Sequence, residues 1–307
     1  MPSDPEELIA RPKREVERLE ADIAGRPARL HGVALACPRD RAALLEYGGG
    51  RSVHCRTCKR FYFEYGAVWD FRVPDALTEA EDFVHAERGS ATWHRFALEK
   101  AERIRDFEDR WLPMFTERVD GPMRFLELGA GLSYASVLVK LASPEAVVVT
   151  TDVSLRYLQN HAAAVATFMG TWPNFWAAAD VRHLPFADGQ FDRVWSAMLL
   201  YRLPDPAEAI AEIRRVLAPG GRWLGLEPAA PWAWPWAGRE YARMARLNRE
   251  RGTRETPRSM RFWRGFARRE GLRLGVPPGS RVPWPWARWA VNAVRGVHVW
   301  LDLEAPP

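Results

Sequence analysis

Strand-like apolar runs alternate with amphipathic helical stretches from Gly121 to the end of the chain. This alternation constrains the fold most, because it predicts βαβ units and a parallel sheet covered by helices on both faces. The predicted strands are 124–128, 146–151, 175–178, 191–197, 222–227, 272–276 and 297–303, and the predicted helices lie near 133–142, 154–168 and 206–217. We therefore expect residues 122–307 to form an α/β domain around a seven-stranded sheet.

Three segments of different character precede this α/β region. Residues 1–30 are highly charged, and their apolar residues are spaced as on a short, solvent-facing helix. Residues 31–74 contain short apolar runs, three consecutive glycines and all the cysteines, a texture typical of a small hairpin module. Residues 75–121 return to a helical pattern that ends at Gly121-Pro122. We expect this last segment to be a helical linker or lid.

The overall composition excludes several classes of protein. The chain has 307 residues, of which 47% are hydrophobic and 27% charged, a balance typical of soluble globular proteins and unlike disordered or collagen-like chains. Every apolar run is interrupted before the length needed to span a bilayer, and the N-terminus does not resemble a secretory leader. With only three cysteines, these features predict a cytoplasmic protein without a transmembrane segment.

The region after Pro231 is rich in arginine and tryptophan. Arginine there exceeds the acidic residues, which would suit phosphate groups but also a G+C-rich coding sequence. The tryptophans suit stacking on a sugar, heterocycle or base, peripheral contact with lipid headgroups, or core packing. We expect core packing at least for Trp263 and Trp300. Eight tryptophans lie in this region: Trp232, Trp234, Trp236, Trp263, Trp284, Trp286, Trp289 and Trp300.

A glycine turn follows the first predicted strand of the α/β region. The strand contains Glu127 and leads into Gly129-Ala130-Gly131, where glycine permits a tight turn and close approach of a ligand to the backbone. A dinucleotide fingerprint would place a third glycine at position 134, but the chain has Tyr134. The ligand is therefore expected to lack a pyrophosphate. Asp152, after the second strand, is placed to accept ribose hydroxyls.

These motifs occur together with two others in a fixed order. Residues 184–192 read LPFADGQFD, and residues 217–221 read LAPGG. The region 122–228 thereby resembles the class I S-adenosylmethionine-dependent methyltransferases of the type 11 branch. The resemblance implies a Rossmann-like seven-stranded sheet with helices on both faces, and S-adenosylmethionine as the cofactor.

The resemblance also implies roles for individual residues. Glu127 and the turn Gly129-Ala130-Gly131 would line the methionine end of the cofactor, and Asp152 would hold its ribose. Around the adenine and the sulfonium the implied residues are Val153, Asp180, Val181, Ser196 and Ala197. On the residues alone, Glu127 and Asp152 could instead be helix-capping carboxylates, and Asp180 a turn residue.

Methyl transfer is an in-line displacement that depends on alignment in a dry site and needs no covalent enzyme nucleophile. Many members of the resembled family place a histidine after the fourth strand, where this chain has Arg202. Arginine does not accept protons near neutral pH, but it can pair with a carboxylate or phosphate. We interpret Arg202 as orienting an anionic substrate or, alternatively, as a surface residue covering the helix start. Tyr134 and His94 are the other catalytic candidates.

The cysteines form a pattern of their own. Cys37-x2-Asp40 and Cys55-x2-Cys58 have the spacing of the two knuckles of a zinc ribbon, with a carboxylate in place of one sulfur. With the stretch 61–68, the module 31–74 resembles the small Trm112-like zinc-ribbon proteins, which also occur fused ahead of methyltransferase domains. It departs from their pattern at Asp40 and at Glu64-Tyr65. His54 is a substitute ligand to consider, and a metal-free module with buried thiols is the alternative.

The combined interpretation is a cytoplasmic S-adenosylmethionine-dependent methyltransferase acting on a small-molecule or glycan acceptor. Structural zinc is the second expected cofactor, and the ribbon is a candidate surface for a protein partner. One alternative is an RNA methyltransferase of the ribosomal-RNA guanine type, with nucleic acid the weaker expectation for a partner. The other alternative is a cofactor-binding scaffold without catalysis.

Overall fold

The computed structural model describes residues 26–47, 50–73, 104–116, 122–229, 246, 258–275 and 297–306. Several predictions therefore lie outside the described residues. These are nearly all of the N-terminal charged helix, most of the 75–121 linker or lid, His94, and the tryptophans of the stretches 232–236 and 284–289.

Seven neighbouring strands of one larger sheet, with helices on both faces, confirm the predicted α/β fold. These strands lie in the order β12-β13-β11-β10-β7-β8-β9. Strand β13 runs antiparallel to the other six strands, which are parallel to one another. The strand order reverses between β7 and β10, which places a crevice at the carboxyl ends of these strands. The strands are β7 (Arg124–Leu128), β8 (Val147–Asp152), β9 (Phe175–Ala178), β10 (Phe191–Ala197), β11 (Leu217–Ala229), β12 (Arg273–Gly275) and β13 (Val297–Glu304).

The helices follow the predicted positions closely. The predicted helix 154–168 is continuous but contains a π-helical turn at Leu158–Ala162, and the hydroxyl of Ser154 caps its start by accepting the Tyr157 N–H. The helices are α1 (Leu112–Thr116, preceded by a π-helical turn at Phe107–Trp111), α2 (Tyr134–Ala142), α3 (Leu155–Tyr157), α4 (Ala163–Met169), α5 (Pro206–Val216) and α6 (Met260–Arg269).

The cysteine-bearing region is joined to the same sheet. Its strand β6 pairs in parallel with β9, with Val68 opposite Trp176 and Asp70 opposite Ala178. The described sheet therefore has eleven strands and continues through β6, β5, β4 and β3. The strands of this region are β1 (Arg29–Leu30), β2 (Val33–Ala34), β3 (Leu45–Tyr47), β4 (Ser52–His54), β5 (Phe61–Tyr65) and β6 (Val68–Asp70); β1 and β2 form a separate pair.

The core lies on both faces of the sheet. On one face Trp195 of β10 contacts three aromatic rings of the segment before β7, namely Phe107, Trp111 and Phe115. On the other face Trp263 of α6 is fully buried, as predicted, and its indole N–H donates to the Pro228 carbonyl at 2.9 Å. Trp300 is only half-buried. Among the described residues, no helix combines the length and apolarity needed to cross a bilayer.

Candidate cofactor site and cysteine cluster

The turn after β7 is shaped by two glycines. Gly129 and Gly131 have φ angles of +60° and +51°, in the left-handed region that favours glycine. A Cβ atom on Gly129 would lie 2.8 Å from Cδ1 of Leu199, which is closer than two carbon atoms pack. The Ala130 N–H donates to the Thr151 carbonyl at 2.9 Å and so fixes the turn to the end of β8. The bare backbone of this turn therefore faces the crevice beside β8 and β10.

Glu127 lies beneath this turn and is almost completely buried, with 3% of its surface exposed. Its Oε2 accepts the Ser136 N–H of α2 at 2.8 Å. Burial raises the pKa of Glu127 to about 7, because the carboxylate has lost its hydration, although hydrogen bonds from Ser136 oppose this. A cation arriving at this site would favour the ionised form of Glu127.

Asp152, at the end of β8, is held by two backbone amides. The Gly131 N–H donates to Oδ2 and the Ser154 N–H to Oδ1, both at 2.9 Å. Burial raises the pKa of Asp152, and the two amides partly offset that effect. A carboxylate has about four acceptor positions, so Asp152 can still accept further hydroxyl groups. Val153, the next residue, is half-buried. Asp152 therefore binds the glycine turn through the Gly131 N–H and has acceptor positions left for the predicted ribose.

Asp180 is already paired in this structure. Its carboxylate accepts Nε–H and Nη2–H of Arg182 at 3.0 and 2.6 Å, and the backbone N–H of Arg182 at 2.9 Å. Asp180 thus organises its own turn, and an adenine edge would share the carboxylate with Arg182. Val181 beside it is buried.

The two residues predicted to border the sulfonium lie on opposite faces of β10. The Ser196 hydroxyl accepts the indole N–H of Trp223 at 3.1 Å and is fully buried. Successive side chains of a strand alternate between faces, so Ser196 points into the core and presents only its backbone at the strand end. Ala197 is half-buried at that end. That Ser196 and Ala197 border the sulfonium therefore stays a prediction, to which Ser196 would contribute its backbone.

The described catalytic candidates occupy different environments. Arg202 is exposed in the 3-10 turn Leu200–Arg202, and its Nε–H donates to the Met198 carbonyl at 3.3 Å. Its positive charge lowers the pKa of Asp152 against the effect of burial, which places it at the cofactor side of the sheet. Tyr134 is buried at the start of α2 and contacts the ring of Phe107 edge to face. Arg202 thus lies on the cofactor side of the sheet, and the Tyr134 ring packs against Phe107.

Two residues at the crevice were missed by the sequence interpretation. Glu227 of β11 is fully buried and accepts the backbone N–H groups of Leu199, Leu200 and Tyr201, and burial raises its pKa to about 7. Tyr157 of α3 is buried, and its ring lies 3.8 Å from the position of a Cβ on Gly131. A carboxylate inside the apolar run 222–227 is the signal that could have identified Glu227.

The four predicted metal ligands come together. The ligand atoms of Cys37, Asp40, Cys55 and Cys58 all lie within 4.8 Å of one another. Cys37 Sγ is 3.6 Å from Cys58 Sγ, and Cys55 Sγ is 3.4 Å from both Asp40 carboxylate oxygens. Burial raises the pKa of Cys37 to about 12, whereas a bound cation would stabilise the thiolate. Three sulfurs and one carboxylate oxygen fit a tetrahedral zinc ion.

His54 lies outside this set of ligands. Its ring stacks on Phe61 of β5 with the centroids 4.3 Å apart, and its burial together with the charges of Lys59 and Arg56 lowers its pKa. In the part of the chain that the structure describes, the cluster contains Asp40 as the fourth ligand and does not contain His54.

Comparison with known proteins finds matches over the region that contains β7 to β10. Residues 126–224 match the family described as "Methyltransferase domain". The chain is 31% identical over 126 residues to the ubiquinone/menaquinone biosynthesis C-methyltransferase of Desulfotalea psychrophila, covering 40% of this chain and 50% of that protein. It is 37% identical over 110 residues to the demethylmenaquinone methyltransferase of Thermus thermophilus, covering 36% and 49%.

A third relative has a different named activity. The chain is 35% identical over 106 residues to a malonyl-[acyl-carrier protein] O-methyltransferase of Hahella chejuensis, covering 34% of this chain and 36% of that protein. The chain thus spans about half the length, or less, of these three curated relatives.

The fold has a counterpart among solved structures. The phosphoethanolamine N-methyltransferase 2 of Haemonchus contortus, in complex with phosphomonomethylethanolamine and S-adenosylhomocysteine, superposes with a TM-score of 0.53 at 14% identity. The match covers 75% of this chain and 61% of that one, and at this identity it concerns the fold alone. By the family match and the curated relatives, the α/β part of this chain is similar to methyltransferase domains, and its fold is that of the class I S-adenosylmethionine-dependent methyltransferases.

Proposed function

We propose that this protein transfers a methyl group from S-adenosylmethionine to a small-molecule or glycan acceptor. The observation that carries the proposal is the Gly129–Gly131 turn, whose Gly131 N–H is held by Asp152 while the buried Glu127 lies beneath it. Two glycines with positive φ angles leave the backbone open to a ligand, and two carboxylates offer acceptors for hydroxyl and ammonium groups.

Each residue of this site has a role in the proposed reaction. When bound, S-adenosylmethionine supplies an electrophilic methyl group on a sulfonium. Asp152 accepts the ribose hydroxyls, and Glu127 faces the ammonium of the methionine end directly or through water. The chain's contribution is alignment and exclusion of water, which suits an in-line displacement.

The acceptor is inferred from Arg202 and from the relatives. Arg202 is exposed beside the crevice and can pair with a carboxylate or phosphate of the acceptor. The named relatives methylate quinone precursors and a malonyl group, which supports a small-molecule acceptor. We also propose that the cluster of Cys37, Asp40, Cys55 and Cys58 binds structural zinc. The three cysteines form no disulfide, which supports the proposal of a cytoplasmic location.

Calorimetry with S-adenosylhomocysteine tests the cofactor assignment. We expect the wild-type protein to bind one equivalent, and Asp152→Ala to weaken binding by at least tenfold because the Gly131 N–H and the ribose hydroxyls lose their acceptor. Asp188→Ala is the matched control, because this carboxylate is exposed and pairs with Arg215 away from the crevice. A folded wild-type protein that does not bind S-adenosylhomocysteine at millimolar concentration would contradict the proposal.

Transfer of a labelled methyl group then tests the acceptor class. Quinols, malonyl thioesters and oligosaccharides are the candidates to compare. If Arg202 orients an anionic group, Arg202→Ala raises KM for a carboxylated acceptor about tenfold and leaves KM for a neutral acceptor unchanged. Equal kinetics of the variant on both kinds of acceptor would exclude this role.

A further inference from the structure

The turn that follows β10 has a backbone conformation that needs support. We call residues 198–203 the β10 turn. Met198 has a φ angle of +59°, which is uncommon for a residue with a side chain and is unfavourable without support from its surroundings. The next residues form the single 3-10 turn Leu200–Arg202. Such a conformation persists only where surrounding contacts define it.

One carboxylate supplies most of those contacts. Glu227 Oε1 accepts the N–H groups of Leu199 at 3.1 Å and Leu200 at 2.9 Å, and Oε2 accepts that of Tyr201 at 3.1 Å. Glu227 is fully buried in β11, so water does not replace these bonds. Hydrogen bonds to an ionised acceptor are stronger than neutral ones. Three consecutive amides of the β10 turn therefore take their position from one side chain.

The far end of the β10 turn has a second support. Arg258 Nη2–H donates to the carbonyl oxygens of Leu203 at 3.0 Å and Pro204 at 2.8 Å. The Met198 N–H at the near end donates to the Leu226 carbonyl at 2.7 Å. These bonds tie the ends of the turn, whereas Glu227 defines its middle.

The β10 turn in turn contacts the cofactor site. Cδ1 of Leu199 would be only 2.8 Å from a Cβ on Gly129, so this side chain packs against one side of the glycine turn. Arg202, at the end of the 3-10 turn, lowers the pKa of both Asp152 and Glu227. A shift of the β10 turn would therefore move an apolar contact of the glycine turn together with Arg202.

We propose that Glu227 is a positioning residue, which holds Leu199 against Gly129 by binding the three amides of the β10 turn. This inference rests on the proposed function, because Gly129 and Asp152 are the cofactor-binding residues of that proposal. It goes further in assigning to β11 a residue that acts on the cofactor through the β10 turn.

Glu227→Gln tests the proposal, because it keeps the shape of the side chain, removes its charge and replaces one acceptor by a donor. We expect the dissociation constant for S-adenosylhomocysteine to rise about tenfold and the amides of residues 199–201 to exchange their hydrogens faster. The matched control is Glu212→Gln, since Glu212 is also buried, accepts the Leu184 N–H at 2.9 Å and pairs with Arg215. The control should lose stability but keep its affinity within twofold.

A double-mutant cycle with Leu199→Ala separates positioning from general destabilisation. If Glu227 acts through Leu199, the double variant binds S-adenosylhomocysteine about as weakly as the weaker single variant. Independent, multiplying effects of the two substitutions would overturn the proposal. Should Glu227→Gln not fold, Leu199→Ala alone still decides, because it leaves Glu227 intact; unchanged affinity in that variant also overturns it.

The wild-type measurement distinguishes the two proposals. A wild-type protein that fails to bind S-adenosylhomocysteine contradicts the proposed function. A wild-type protein that binds it, together with a folded Glu227→Gln variant of equal affinity, contradicts the role of Glu227 alone.

Discussion

The two ends of the eleven-stranded sheet present their functional groups in different ways. At the crevice, Glu127, Asp152 and Glu227 are each held by backbone N–H groups of the turns around them. In the cysteine cluster, backbone N–H groups also bind Asp40 and Cys55, but the potential ligands in addition contact one another, with Cys37 Sγ 3.6 Å from Cys58 Sγ and Cys55 Sγ 3.4 Å from Asp40. Backbone amides therefore organise both regions, and what distinguishes the cluster is that its groups lie close enough together for one cation to stabilise them.

This difference teaches where ligand binding and folding are coupled. Carboxylates satisfied by amides keep their geometry without a ligand, so a cofactor adds to an existing site. Thiols gathered in a buried cluster favour ionisation only when a metal is present, so metal binding contributes to folding free energy. We expect metal removal to affect stability most, and changes in the crevice to affect cofactor affinity most.

The largest expected effect is the loss of zinc through Cys55→Ser. We expect the metal content to fall from about one zinc per chain to near zero and the free energy of unfolding to fall by on the order of 4 kcal/mol. Metal analysis and thermal unfolding provide the measurements. His54→Ala is the control, because the cluster does not include His54, and it should retain zinc. Wild-type protein that is purified at normal yield without zinc would contradict the prediction that the cysteine cluster binds a structural metal.

The second prediction concerns Gly129→Ala. The new Cβ would approach Leu199 to 2.8 Å at a φ angle of +60°, so we expect a loss of about 2 kcal/mol in binding of S-adenosylhomocysteine, about thirtyfold in affinity. Gly189→Ala is the matched control, because Gly189 has a φ angle of +66° and its nearest atom lies 4.0 Å away. Similar losses of affinity in both variants would show that backbone strain alone is responsible.

The third prediction is a pH dependence. Burial raises the pKa of Glu127 to about 7, so below this pH the residue is mostly protonated. Binding of the ligand's ammonium then requires Glu127 to lose a proton, which weakens binding. Affinity for S-adenosylhomocysteine should therefore fall about tenfold from pH 8 to pH 6, and Glu127→Gln should flatten this profile in calorimetry.

The contribution of buried carboxyl groups to stability should fall as the pH rises, whereas affinity for the ligand should increase. Glu127 and Glu227 have folded-state pKa values of about 7 against 4.5 for the ordinary group, so the folded protein binds more protons between these values. Their contribution to the free energy of unfolding is full below about pH 4.5 and is lost as the pH rises through 7. Denaturant titrations of the wild type and of Glu127→Gln check the sign, and a contribution from these residues that increases with pH would contradict it.

The smallest expected effect is at Asp180. Its carboxylate is shared with Arg182, so one hydrogen bond to an adenine should contribute little, and we expect Asp180→Asn to weaken S-adenosylhomocysteine binding about threefold. Arg182→Ala frees the carboxylate and should leave affinity equal or slightly higher. A loss of affinity in Arg182→Ala larger than that in Asp180→Asn would assign ligand binding to the arginine.

The sequence predicted the positions of the strands well because apolar periodicity is a local property. Asp152 could be placed by its distance from the glycine turn, and Cys37 with its partners by their spacing. The hydrogen bond from the Trp223 indole N–H to the Ser196 hydroxyl could not be predicted, because its partners lie on different strands, 27 residues apart in the chain. Glu227 was missed because its partners are amides 26–28 residues earlier in the chain, a relation that no motif records.

The pairing of β6 with β9 was also beyond the reach of the sequence. β6 has three residues, and its partner lies more than one hundred residues later. Short strands of this kind give no local signal of what they pair with. The prediction of a small module ahead of the catalytic domain therefore described its composition and left its attachment open.

That attachment has a consequence for dissecting the protein. Cutting away residues 26–73 would bare the backbone donors and acceptors of Phe175–Ala178, and an open strand margin of this kind invites pairing with other chains. We expect a protein shortened in this way to aggregate even if every residue that contacts its ligand were intact. By covering the edge of β9, the N-terminal strands would thus prevent self-association of the sheet.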